Sequence, residues 1–276
     1  MIAAALLTLR EGLEAALVVG IVLGYLRKIR RLDRQGYVWI GVAAAVVASL
    51  ILAIGLQRTG AQLEGPAEEI FEGTTMLLAV GVLTYMIFWM RYQARFIRVA
   101  LEREVQVAVS QGHNWALAGL SFVVVLREGV ETVLFLTAAA FVAGGLETVW
   151  GSLLGLSIAI TIGALLYATT VRLPVQRFFD VTSVLLLLFA AGLLAHGIHE
   201  FQEAGLLPFL VEEAWNTAHL LDESSFWGSV LKALFGYNAN PSLLEVLGYL
   251  GYWVVVLSSV RWWIDRMALQ LDRVQS

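Results

Sequence analysis

Arg10-Glu11-Gly12-Leu13-Glu14 places three charged side chains in the middle of an apolar run that extends from Ile2 to Leu26. The same order of Arg, Glu, Gly, branched aliphatic and Glu returns at Arg127-Glu128-Gly129-Val130-Glu131, inside a second apolar run from Trp115 to Val142. On a helix turning about 100° per residue, the Arg and both Glu of each motif share one face. At about 1.5 Å per residue, Arg10 and Arg127 lie roughly 13–18 Å inside the starts of their runs, near the centre of a bilayer. Each charge there costs about 2.5–3.5 kcal/mol on an insertion scale, so six cost on the order of 15–20 kcal/mol unless paired or hydrated. Pairing inside a motif, such as Arg10 with Glu14 at i, i+4, would lock helices together and offset part of this. Four carboxylates against two guanidiniums still leave a formal −2, which a cation or protons must balance.

The other candidate ligands are also oxygen donors. Glu69 and Glu72 form an i, i+3 carboxylate pair at the mouth of a third apolar run, and Asp180 stands where Glu72 does in a later, similar stretch. An outer carboxylate, a central cluster and an inner carboxylate would make a transmembrane path of ligands for a hard cation. The chain has no cysteine, which excludes disulfides, thiolate zinc sites and iron–sulfur ligation within it. Iron, manganese, magnesium and protons all satisfy the donor set. His196 and His199 with Glu203 are an additional candidate for holding a borderline metal, against the plainer reading of histidines hydrated or hydrogen-bonded near an interface. Gly12 and Gly129 remove bulk between the charges, and Gly20 with Gly24 offers a small-xxx-small spacing for close helix approach.

These residues need a membrane scaffold, and the composition supplies one. The chain has 276 residues, 59% hydrophobic and 14% charged, with a mean hydropathy of +0.78; soluble domains average roughly 45–50% apolar and about 25% charged. The expectation is an all-α polytopic membrane protein of one domain, with seven transmembrane helices at about 2–26, 37–57, 71–90, 115–140, 149–169, 179–199 and 244–263. No basic segment precedes the first run, so it is expected to remain as a helix rather than be cleaved. Trp39, Trp89, Trp115, Trp150, Trp262 and Trp263 fall near run ends, where indoles favour the headgroup level. Phe71-Glu72-Gly73-Thr74-Thr75 resembles Phe179-Asp180-Val181-Thr182-Ser183, so 2–90 and 115–199 read as two three-helix repeats. Three is odd, which inverts the second repeat relative to the first, an arrangement that places transporter sites near the midplane. Residues 200–243 form a long loop in which one or two short interfacial helices are expected, and 244–263 is an extra helix.

Charge sets the orientation. Arg27, Lys28, Arg30, Arg31 and Arg34 follow the first run, Arg91, Arg95, Arg98 and Arg103 the third, Arg172 and Arg177 the fifth, and Arg261, Arg266 and Arg273 the last. The positive-inside rule then puts the N-terminus outside and the C-terminus in the cytoplasm. The outer loops are acidic, with Glu64, Glu68, Glu147, Glu203, Glu212 and Glu223 among others, which raises the local concentration of cations.

The doubled motif, with Glu69-Ile70-Phe71-Glu72-Gly73 between its copies, resembles the oxidase-dependent high-affinity iron permease (iron/lead transporter) family, and most of all its bacterial Efe-system members. The resemblance covers nearly the whole chain. It implies iron uptake across the bacterial plasma (inner) membrane, with Glu11, Glu14, Glu128, Glu131, Glu69 and Glu72 as iron ligands and Arg10 and Arg127 as their essential partners. It further implies an extracytoplasmic oxidase or peroxidase and a periplasmic iron-binding protein as partners. No permanently bound cofactor and no nucleic acid is expected; iron is the cargo, lipid the surroundings, and homo-oligomerisation stays open. The chemistry also admits a transporter of another hard divalent cation or of lead. An intramembrane di-metal redox enzyme is the alternative of a different class, and it lacks the Glu-x-x-His pairs such sites use.

Overall fold

The computed structural model describes residues 1–93, 97–111, 113–168, 175–223 and 225–275, with side chains over these residues except 91–93, 97–98, 166–168, 175–176, 226, 233 and 263–275. Arg95 and Arg172 lie outside the described residues, as do the side chains of Arg91, Arg98, Trp263, Arg266 and Arg273. The regular structure of the described residues is helical, without strands: α1 (Ile2–Lys28), α2 (Gln35–Gly60), α3 (Pro66–Gln93), α4 (Ile97–Ser110), α5 (Asn114–Ala143), α6 (Gly145–Ala168), α7 (Val175–Glu203), α8 (Phe226–Phe235) and α9 (Leu243–Gln275). Segments in α2, α3, α6, α7 and α9 are long and apolar enough to cross a membrane by length and composition. This is a multi-pass membrane protein. α1 and α5 are as long, but each carries its Arg and two Glu in mid-helix.

The most extensive pairings are α1 with α6, α2 with α5 and α3 with α7; α1 also crosses α5. α1 and α6 run parallel, because a Cβ on Gly155 would meet the Ala5 carbonyl and one on Gly163 would come 2.8 Å from Ala16 Cβ. α2 and α5 run parallel in the same way, with Gly41 against the Ala118 carbonyl and Gly129 against Ser49. α1 turns into α2 through Ile29–Arg34, so α1 and α5 pass each other in opposite directions. Arg27, Lys28 and Arg31 thus gather at one end of the bundle, while Glu68, Glu69 and Glu203 gather at the other. These ends are called the basic and acidic faces below.

Two apolar clusters hold the helices. The larger joins Leu7, Met76, Leu83, Met86, Phe135, Leu186 and Phe189, and extends to Tyr252 and Val256 of α9. The smaller joins Val22, Leu26, Val38, Val105 and Leu117 near the basic face. α4 belongs to this second cluster. The sequence reading treated that stretch as a basic loop, but Leu101, Val105 and Ala108 form a buried stripe at helical spacing. In the long segment after α7, Ser225 caps α8 by accepting from the Gly228 amide at 3.0 Å, and Gly236 ends it in the left-handed conformation. Trp39, Trp115 and Trp150 are exposed near helix ends and Trp262 at the end of the apolar segment of α9, as an interfacial indole should be.

Candidate metal centre

Because α1 and α5 cross in opposite directions, their two motifs face each other in the bundle interior. Glu11, Glu128 and Glu131 each offer a carboxylate oxygen, and the three atoms lie within 4.8 Å of one another. Glu11 and Glu128 are buried and Glu131 nearly so. Among the described residues no other group of three acidic or histidine ligands converges in this way.

The arginines engage the last residue of their own motifs. Arg10 Nε donates to Glu14 Oε1 at 3.0 Å, and Arg127 Nε donates to Glu131 Oε1 at 2.9 Å. Their surroundings differ: the Arg10 side chain is 1% exposed and that of Arg127 36%. Arg127 also lies over the Trp89 ring, 4.3 Å from its centroid, so Trp89 faces the centre instead of serving only as a headgroup anchor. Both Glu11 oxygens, Glu128 Oε2, Glu131 Oε2 and Arg10 Nη1 are buried with no hydrogen-bond partner. Buried polar groups are ordinarily paired, and carboxylate oxygens left open by the protein at one point fit the donor set of a hard cation.

The motif glycines let each motif helix approach its parallel partner closely, α1 against α6 and α5 against α2. A Cβ on Gly12 would stand 2.8 Å from Ala159 Cβ, and one on Gly129 would overlap Ser49. At Gly20 and Gly24 a Cβ would meet open space, so the close approach expected there occurs at Gly12 and Gly129.

The remaining sequence candidates lie elsewhere. Glu69 and Glu72 stand in the first turns of α3 on the acidic face, where Glu72 interacts with Glu200, Glu68 and Glu203. The Glu69 Oε2 atom is buried without a partner. Asp180 is exposed near the start of α7, at the basic end. His199 bridges two carboxylates, with Nδ1 3.0 Å from Glu245 Oε1 and Nε2 3.3 Å from Glu203 Oε1. His196 Nδ1 lies 3.0 Å from the Gly192 carbonyl. Glu245 is itself fixed at the start of α9, where Ser242 and Glu245 exchange backbone-to-side-chain bonds at 3.0 and 3.3 Å. The structure therefore places His199 and Glu203 in a tie between α7 and α9.

A chain with this centre matches a known family model, the iron permease FTR1 family, over residues 1–268. The chain belongs to the FTR1 iron permease family. Ferrous iron permease EfeU of Escherichia coli O6:K15:H31 (strain 536 / UPEC) is 40% identical over 254 residues, covering 91% of this chain and 92% of that protein. The protein of the same name from Shigella sonnei (strain Ss046) has the same identity and coverage. That of Yersinia pestis is 38% identical over 254 residues, 91% of this chain and 90% of its own. No solved structure matches the chain. These relatives are permeases by name.

Proposed function

We propose that this protein carries ferrous iron inward across a bacterial inner membrane, through the carboxylates of its two Arg-Glu-Gly-x-Glu motifs. The observation that carries this reading is the convergence of Glu11, Glu128 and Glu131 with open, buried oxygens. Charge favours the divalent state: the two motifs hold a formal −2, which Fe2+ neutralises and Fe3+ overshoots. The relatives named ferrous iron permease support the same choice.

The architecture proposed around the centre has seven spans, α1, α2, α3, α5, α6, α7 and α9, in two inverted repeats plus α9. The helix pairings support it, since exchanging α1 with α5, α2 with α6 and α3 with α7 turns the α1–α6 pairing into α5–α2 and leaves α3–α7 in place. The basic face is cytoplasmic by the positive-inside rule. Iron, handed over by an extracytoplasmic iron-binding protein of the kind the family resemblance implies, enters past Glu69 and Glu72. An inside-negative potential supplies about 2.3 kcal/mol per charge per 100 mV, roughly 5 kcal/mol for a divalent ion, so no coupling ion is needed.

The test is uptake of radioactive iron into proteoliposomes under an imposed potential, offering reduced and oxidised iron separately. Ferrous iron accumulates, faster at a more negative interior. Accumulation of ferric iron alone, or of neither, refutes the reading.

A further inference from the structure

Glu128, Ser121 and Asn114 are spaced by seven residues along α5. Seven residues make nearly two full turns, so the three line one stripe of the helix, about 10.5 Å apart. Each carries a buried oxygen without a hydrogen-bond partner: Glu128 Oε2, Ser121 Oγ and Asn114 Oδ1. Ser121 is only 3% exposed.

Its isolation is unusual for a helical hydroxyl. Ser49 bonds the Ala45 carbonyl at 2.9 Å, Thr132 the Glu128 carbonyl at 2.7 Å and Thr137 the Val133 carbonyl at 2.8 Å, each one turn back. Ser121 makes no such bond to Leu117 and leaves its oxygen open in the interior. One turn toward the basic face, Leu117 is wholly buried with Val22, Leu26 and Val105. Along α5, Ser121 thus stands between the carboxylate centre and the apolar cluster near the basic face. Beyond that cluster, at the foot of α5, Asn114 follows His113 in the chain, and His113 lines an open cavity of about 530 Å³ with Arg103, Glu104 and Gln111.

We propose that Ser121, and after it Asn114, form the exit path by which a partly hydrated divalent cation passes from the carboxylate centre to the basic face. A cation leaving three carboxylates toward this apolar cluster loses its oxygen ligands at that step. A hydroxyl oxygen held open there replaces one, directly or through a water. The path runs down α5 and bypasses Asp180, which lies exposed on α7. The inference rests on reading the centre as an iron-translocation site.

The test compares wild type, Ser121→Ala and Asn114→Ala as full chains in proteoliposomes supplied with ferrous iron alone. For each, maximal uptake rate, KM, iron affinity in detergent and thermal midpoint are measured. Ser121→Ala lowers the maximal rate about five- to tenfold, the effect of one lost contact, with affinity and thermal midpoint unchanged. Asn114→Ala lowers the rate less. A hydroxyl with only a structural role predicts a shifted thermal midpoint with a wild-type rate, and a wild-type rate at any midpoint overturns the inference with the permease reading intact. A wild type that moves no iron overturns the permease reading itself. Should Ser121→Ala fail to reach the membrane, the rate of Asn114→Ala decides by the same criterion.

Discussion

Glu11→Gln and Glu14→Gln remove the same charge one turn apart on one helix, yet the geometry gives them opposite effects on the iron-free protein. Glu11 has two buried oxygens with no donor and lies among Glu14, Glu128 and Glu131. Glutamine there removes like-charge repulsion and brings an amide donor to neighbouring open oxygens, which stabilises the protein by roughly 1–2 kcal/mol. Glu14 instead holds Arg10 at 3.0 Å, and Arg10 is 1% exposed with Nη1 already unpartnered. Removing the Glu14 charge leaves a buried guanidinium uncompensated and costs about 3–5 kcal/mol.

Iron separates the two further. Losing one charged ligand from a buried site weakens binding by about 2–5 kcal/mol, or roughly thirtyfold to several-thousandfold in Kd. Thermal unfolding in detergent, with and without ferrous iron, measures both terms. In the wild type, iron at a hundred times its Kd adds about 2.7 kcal/mol of stability. Glu11→Gln starts more stable and loses this increment; Glu14→Gln starts less stable. Equal destabilisation of the two iron-free variants, or a full iron-dependent increment in Glu11→Gln, refutes the assignment of Glu11 as ligand and Glu14 as partner of Arg10.

Gly129→Ala drives a Cβ into Ser49 of α2, so it destabilises by about 1–3 kcal/mol, and the double variant Gly129→Ala, Ser49→Gly recovers most of this in thermal unfolding. Trp89→Leu removes the ring under the Arg127 guanidinium and raises the KM for iron about fivefold, while Trp89→Phe keeps most of the wild-type value because a ring face remains. Glu223, outside the spans, supports the segment before α8. Burial raises its pKa, but the Ala239 amide at 2.7 Å and Lys232 at 2.8 Å outweigh burial and hold it below the ordinary glutamate value. Its stabilisation is present above the unfolded pKa of about 4.3 and is lost as pH falls through the lower folded value, so the protection of the Ala239 amide, its exchange rate relative to the intrinsic rate at the same pH, falls on acidification and Glu223→Gln abolishes that dependence.

The motifs were legible because charge inside an apolar run is rare and its recurrence rarer. Which glycines carry the close approach was not legible: Gly20 and Gly24 have the right spacing, but spacing alone does not say which face meets a neighbour, and the contacts fall at Gly12 and Gly129. Trp89 looked like an anchor because it ends a run; its place over Arg127 depends on how α3 packs against α5. α4 was readable in principle from Leu101, Val105 and Ala108, but its arginines suggested a solvated loop. The Ser242–Glu245 cap was readable too, as Ser-x-x-Glu before an apolar run. It bears on function because Glu245 engages the His199 that the sequence offered as a metal ligand.

The two arginines define what the motifs have in common and where they part. Antiparallel crossing puts Arg10 on the acidic side of Glu14 and Arg127 on the basic side of Glu131, so a guanidinium stands at each end of the carboxylate set. Arginine stays protonated in proteins, so both positive charges are fixed and only the carboxylates or a cation can adjust the balance. Yet one guanidinium is sealed and the other is about one-third exposed. The proposed two-repeat architecture offers a source for that difference. The shift that carries Phe71 onto Phe179 carries Trp89 onto Gly197, which packs against Gly73 and Met76 of α3. One half has an aromatic shelf for its arginine, and the other has a glycine used for helix contact. The motifs supply equal charge from both sides of the centre; the helices around them make the basic-face side the more open one.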